Sequence, residues 1–265
     1  MNIFRKYLST PLLRKVPEVT VFFWTIKLLT TAMGESTSDF LVHQIDPVLA
    51  VALGGIGFAI AIVLQLSVKK YVAWIYWLTL VMVAIFGTMA ADVVHIVLGV
   101  PYVASALGFA VALILVFLIW YRTERTLSIH SISTPSRELF YWTAVIITFA
   151  LGTAVGDMTA ITFKWGYLTS GVVFAVLFAL PLLAYYGFHA PEVLTFWASY
   201  IVTRPLGASF ADWFGRSPAS GGIGLGTGRA SIILTLLIVL FVAYLTVTRK
   251  DIRDQQQLIN EGMKQ

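Results

Sequence analysis

Cysteine is absent from the 265 residues, which removes disulfides, thiolate metal sites and thiol nucleophiles together. Charge is scarce as well. Only 12% of residues are charged against 58% hydrophobic, and the mean hydropathy is +0.85, which excludes a soluble globular chain. With four histidines and no thiols, a copper or zinc site has little to draw on. No basic domain stands outside the apolar runs, so the +5 net charge does not point to nucleic acid. The glycine-rich stretch 221–228 lacks the Lys-Ser/Thr and the preceding strand of a phosphate loop. No G-x-S-x-G motif is present either, and no enzyme activity is expected.

What the chain does have is apolar length. About eight stretches, near 18–42, 45–68, 72–99, 101–121, 140–163, 166–188, 190–214 and 223–248, are long enough to cross a bilayer as helices. The third and fourth are split mainly by Pro101, so their turn is tight. The first 17 residues are polar and basic with no cleavage site after the first span, so a cleavable signal is not expected. Eight spans put both termini on one side. That side holds Arg5, Lys6, Arg14, Lys15, Lys69, Lys70, Arg122, Arg125, Arg137, Arg249, Lys250, Arg253 and Lys264, and the other only Lys164, Arg216 and Arg229. The positive-inside rule then predicts cytoplasmic termini.

A tryptophan, a glycine ten residues on and an aspartate five further recur four times: Trp24/Gly34/Asp39, Trp77/Gly87/Asp92, Trp142/Gly152/Asp157 and Trp197/Gly207/Asp212. Four ungapped copies of W-x9-G-x4-D identify a tandem repeat. Each repeat holds two spans, so successive repeats enter the membrane in the same orientation, related by an axis along its normal. The expected fold is all-α and polytopic, one membrane domain with repeats near 17–70, 71–122, 137–189 and 190–250. A cytoplasmic linker at 123–136 and a polar, helical tail at 251–265 complete it. Tryptophan to aspartate is about 22 Å of helix, which sets the tryptophans toward the cytoplasm and the aspartates toward the outside. The residue before each aspartate is small (Ser38, Ala91, Gly156, Ala211), so each motif glycine sits on a smooth face suited to close helix packing. Local unwinding at the glycine, freeing carbonyls for a ligand, is the other reading. The tryptophans read as interfacial or interhelical packing groups.

With tryptophan at 0° on a regular helix, the aspartate falls near about 60°, Glu35 near about 20°, Lys27 near about −60° and Arg204 near about −20°. The ionisable residues of the odd spans thus share one sector and should face each other. Carboxylates in a bilayer are costly and mark ion or proton paths. Asp39, Asp92, Asp157 and Asp212, with Glu35, are the candidate ion or metal site, and Lys27 and Arg204 the charge-balancing or gating groups, paired with aspartates. His95, three residues after Asp92, is a candidate relay.

The four copies resemble a bacterial membrane-protein family of four tandem two-helix repeats, each with a characteristic tryptophan, described mainly as a repeat of unknown function. The resemblance spans residues 17 to about 250 and implies a bacterial inner-membrane location without supplying a substrate. The residues themselves lead to a transporter of a small cation, a hard divalent ion such as Mg²⁺, Mn²⁺ or Ca²⁺, coupled to protons. A cation or proton channel and a non-transporting scaffold or accessory protein are the alternatives. No cofactor is required, the lipid bilayer and the cation are the partners, and an oligomer is compatible with this reading. The topology has a direct test in this cysteine-free chain. Arg5→Cys and Lys264→Cys variants should react with impermeant thiol reagents only in inside-out vesicles, and labelling in intact cells would overturn the orientation.

Overall fold

The computed structural model describes residues 14–252, so Arg5, Lys6, Arg253, Lys264 and most of the expected tail lie outside the described residues. The chain is all-α, with eight long helices and no strand among the described residues. They are α1 (Val21–Gln44), α2 (Pro47–Ser67), α3 (Ala73–Asp92), α4 (Tyr102–Glu124), α5 (Pro135–Asp157), α6 (Tyr167–Phe188), α7 (Glu192–Gly215) and α8 (Thr227–Thr248). Six are long and apolar enough to cross a membrane by length and composition alone. The other two, α1 and α7, carry Lys27, Glu35 and Asp39, and Arg204 and Asp212, and all five side chains are buried inside the protein. Local chemistry starts several helices. The Thr20 hydroxyl accepts from the Phe23 amide, and Asp46 and Thr134 cap α2 and α5 immediately before Pro47 and Pro135.

The odd helices form an inner ring, packing in the order α1–α3–α5–α7 and back to α1. The even helices lie outside it. The spans containing α3 and α5 are 50% and 67% buried, whereas α2, α4, α6 and α8 are 17% or 22% buried and turn rows such as Leu53, Ile56, Ile60 and Val63 outward. Each outer helix rests chiefly on the inner helix of the next repeat: α2 on α3, α4 on α5, α6 on α7, and α8 back on α1. The ring is therefore closed by contact between the first and last repeats.

The motif residues make the same offset contacts. A Cβ on Gly34 would strike Ala84, one on Gly87 Phe149, one on Gly152 Arg204, and one on Gly207 Thr31. In every case the obstacle is the residue seven after the tryptophan of the next repeat. The four helices run unbroken through these glycines, so close approach and not unwinding is their role. The winding changes instead just after two aspartates, where α3 and α5 continue as π-helical turns at Val93–Val97 and Met158–Thr162. Such turns insert a residue into the helix and re-aim the side chains beyond it.

The tryptophans belong to a second belt. Each is preceded by an aromatic residue (Phe23, Tyr76, Tyr141, Phe196), and that residue meets the tryptophan of the next repeat. The ring centroids lie at 5.9 Å for Phe23–Trp77, 5.5 Å for Tyr76–Trp142, 6.1 Å for Tyr141–Trp197 and 5.8 Å for Phe196–Trp24. The belt is closed, and each pair contributes about 0.5–1.5 kcal/mol beyond area burial. Interhelical packing is thus the observed role of the tryptophans.

Glycine contacts of this kind predict sharp position dependence. Gly207→Ala forces a methyl onto Thr31 and the Ala32 backbone and should destabilise the protein by about 1–3 kcal/mol. Gly108→Ala on the outer α4 meets nothing within 4 Å and should be neutral or stabilising. Thermal unfolding of the two purified variants in detergent checks this, and equal effects would remove the close-approach role.

Candidate functional site

The inner ring stacks its charged residues in layers along its axis. The central layer is built around Arg204, whose side chain is fully buried on α7. Its guanidinium donates to Glu35 on α1 at 2.6 Å, to Thr153 on α5 at 2.8 Å and to the Thr88 hydroxyl on α3, with a longer bond to the Thr31 carbonyl at 3.4 Å. Glu35, Thr88 and Thr153 occupy the same position, eleven after the tryptophan, in the first three repeats; the fourth has Ala208 there. One guanidinium thus gathers acceptors from the other three repeats. The expectation that Arg204 pairs with a motif aspartate is corrected: its partner is Glu35, because both project at the middle of the helix while the aspartates lie a turn further on.

Lys27 departs from the expectation too. Its ammonium is fully buried with no hydrogen-bond partner among the described residues, and it lies 4.2 Å from the Phe149 ring centre and 4.0 Å from that of Tyr200. Two ring faces, not an aspartate, hold it. Desolvated cation–π contacts are worth about 2 kcal/mol each. The reason is distance along the helix, since Lys27 lies three turns from Asp39.

The aspartate layer lies beyond Arg204. Glu35, Asp39 and Asp212 each bring a carboxylate oxygen within 4.8 Å of the other two, and all three are buried. A further basic group, absent from the sequence reading of the site, completes this cluster. Arg216, in the turn after α7, donates from Nε to Asp212 at 2.7 Å and from Nη2 to Asp39 at 3.0 Å. Burial pulls Arg216 down, but the carboxylates of Asp212 and Asp39 outweigh it and raise the guanidinium above its ordinary range, so it stays charged. The glycine-rich stretch holds it there. The amides of Ile223, Gly224, Leu225 and Gly226 donate to the carbonyls of Trp213, Arg216, Phe214 and Gly215, folding the loop back onto the end of α7. A side chain at Gly222 would strike the Arg216 carbonyl, so this return needs glycine.

Asp92 and Asp157 are the remainder. Both are half-buried and within electrostatic reach of Glu35 and Asp39, Asp92 also of Arg204 and Asp157 of Arg216, and neither has a hydrogen-bond or ion-pair partner among the described residues. Each sits at the start of a π-helical turn. No hydrogen bond or ion pair joins His95 to Asp92 among the described residues. His95 bonds the Val100 carbonyl at 3.2 Å and Ser105 at 3.3 Å, and its ring packs tilted against Tyr102 with centres 4.3 Å apart, closing the turn around Pro101. A separate apolar cavity of 680 Å³ opens sideways between α1, α3 and α8, with Trp77 and Ile238 in its walls and no carboxylate. It is not part of this site.

Four matched segments, residues 22–71, 75–126, 140–190 and 195–251, fit the profile described as Repeat of Unknown Function (DUF347), and each contains one tryptophan, glycine and aspartate of the motif. The chain belongs to the DUF347 repeat family. No curated protein and no solved structure matches it. In this DUF347 protein the repeats supply the aspartates symmetrically, while Lys27, Glu35, Arg204 and Arg216 each occur once.

The buried Arg204–Glu35 pair has a testable energetic signature. Arg204→Met or Glu35→Met alone leaves an uncompensated charge and should cost about 3–5 kcal/mol. The double variant should recover much of that loss, read as a coupling energy in a double-mutant cycle of unfolding. Additive losses would show that the pair does not act as a unit.

Proposed function

We propose that this protein is a carrier of a small cation in the bacterial inner membrane, with both termini in the cytoplasm and protons as the coupling ion. The observation that carries the reading is the surplus of carboxylate at one end of the inner ring. Over the whole inner ring, Glu35, Asp39, Asp92, Asp157 and Asp212 stand against Lys27, Arg204 and Arg216, so five acids against three bases leave two formal negative charges. The arginines engage Glu35, Asp39 and Asp212. Asp92 and Asp157 are left for a cargo or for protons, and a membrane interior does not tolerate them empty-handed.

The donors available there are oxygens, the carboxylates of Asp92 and Asp157. Such a set suits a hard divalent ion, Mg²⁺, Mn²⁺ or Ca²⁺, better than a soft one. Two carboxylates can also take up two protons, which makes exchange of one divalent ion for two protons electroneutral. The axis is filled by Arg204 and by the aromatic belt, which favours alternating access over an open channel. Under the proposed orientation the aspartates receive ions from the outer side and the belt bars their way to the cytoplasm.

The decisive experiment uses purified protein in liposomes, with cation flux measured with and without a pH gradient. Asp92→Asn and Asp157→Asn keep size and hydrogen-bonding capacity while removing charge. They should leave expression and melting temperature near those of the wild type and lower flux by about a hundredfold or more, as loss of a charged ligand does. Divalent cations should raise the wild-type melting temperature by mass action and raise that of the variants less. If no cation shifts wild-type stability and both Asn variants keep full flux, Asp92 and Asp157 are not the ion site, and a wild type that shows no flux for any cation would make the protein a scaffold.

A further inference from the structure

The segment 14–20 precedes the first family repeat, which begins at residue 22. It runs across the tryptophan end of the bundle as an irregular, non-helical segment and bonds to both halves of the chain. Its Arg14 carbonyl accepts from the Tyr71 amide at 2.7 Å, the Lys15 amide donates to the Ile132 carbonyl at 3.0 Å, and the Glu18 amide donates to the Asp251 carbonyl at 3.0 Å. Its Glu18 carboxylate pairs with Arg14 and approaches His130, which in turn bonds Glu192 at the start of α7 at 2.7 Å. Val16 is buried in the core.

The centre of this strap is an ion pair that the repeat architecture does not require. Glu138 lies in the first turn of α5, four residues before Trp142, and its side chain is 1% exposed. The matching positions in the other repeats are Thr20, Ala73 and Val193, so the carboxylate is unique to this one. Its partners are the Lys15 ammonium and the Gln65 side-chain amide, which donates to Glu138 at 2.9 Å. Lys15 also donates to the Leu66 carbonyl at 3.3 Å. One lysine thereby ties the end of α2 to the start of α5, next to the aromatic belt.

We infer that the segment 14–20 is a gating strap, bolted by Lys15 to Glu138, that closes the tryptophan end of the inner ring and is released when that end opens. The role rests on the carrier reading, since a cargo leaving at this end must part helices that the strap joins. The chemistry of the bolt fits release. Apolar contacts lose their whole driving force on exposure to water, whereas both ions of a buried pair regain hydration when they separate. A pair that is fixed in geometry but cheap to hydrate holds one state without trapping it.

The test is access to a cysteine placed behind the belt. Thr203 is fully buried on α7, next to Arg204, and Thr203→Cys puts the lone thiol of the chain there. In vesicles exposing the tryptophan end, a water-soluble maleimide should label this thiol slowly. Adding Lys15→Met should speed labelling by about tenfold or more, as a shift in a two-state opening equilibrium does. Lys15→Arg should keep the protection, and the exchange Lys15→Glu with Glu138→Lys should restore it. Unchanged labelling in a Lys15→Met protein that still melts cooperatively would overturn the strap. So would faster labelling that the charge exchange does not reverse, because that reports general loosening. The readout needs no cargo. Strap-dependent labelling in a protein without cation flux would support the strap and remove the carrier, and cation flux with strap-independent labelling would do the reverse.

Discussion

A guanidinium buried on the axis of a four-repeat ring must find acceptors there, and the other three repeats supply them. Arg204 draws Glu35, Thr88 and Thr153 to one point, each from the same position of its own repeat. The fourth repeat has Ala208 at that position, which leaves the room its own Arg204 needs. Four identical charges could not occupy one axis in low dielectric, so the ring is only approximately symmetric at its centre. The registers of α1, α3, α5 and α7 are coupled through this contact, and the layers on either side inherit their spacing from it.

Around that centre the architecture repeats one rule: each repeat packs on the next. The motif glycine receives a side chain of the following repeat, the aromatic before each tryptophan meets the following tryptophan, and each outer helix lies on the following inner helix. An open solenoid built this way would need capping repeats. Here α8 lies on α1 and Phe196 on Trp24, so the first and last repeats cap each other. Exceptions to the rule are where single-copy charges appear: Lys27 between two rings, Arg216 over two carboxylates, Lys15 against Glu138.

Much of this was legible in the sequence. The Trp-Gly-Asp spacing reveals the repeats, and the common sector of Glu35, Arg204 and the aspartates follows from helical geometry. The glycine's role in close packing follows from the small residue four positions on. The aromatic residue before each tryptophan is equally visible at Phe23, Tyr76, Tyr141 and Phe196, and it is the signal for the belt. Other features were not legible. Lys15 and Glu138 are 123 residues apart, and nothing local marks them as partners. Arg216 reads as an outer-loop charge until the glycine-rich return folds it over Asp39 and Asp212.

By itself, the sequence determined the membrane class, the number of repeats, the all-helical fold and the inward face of each odd helix, because hydropathy and period are local properties of the chain. Only the tertiary structure decided which charges meet. Lys27 and Arg204 share a sector with every motif aspartate, yet neither pairs with one, since pairing depends on height along the axis as well as direction. That height is set by how the helices of different repeats slide past one another at their glycines, and no spacing within a single repeat contains it.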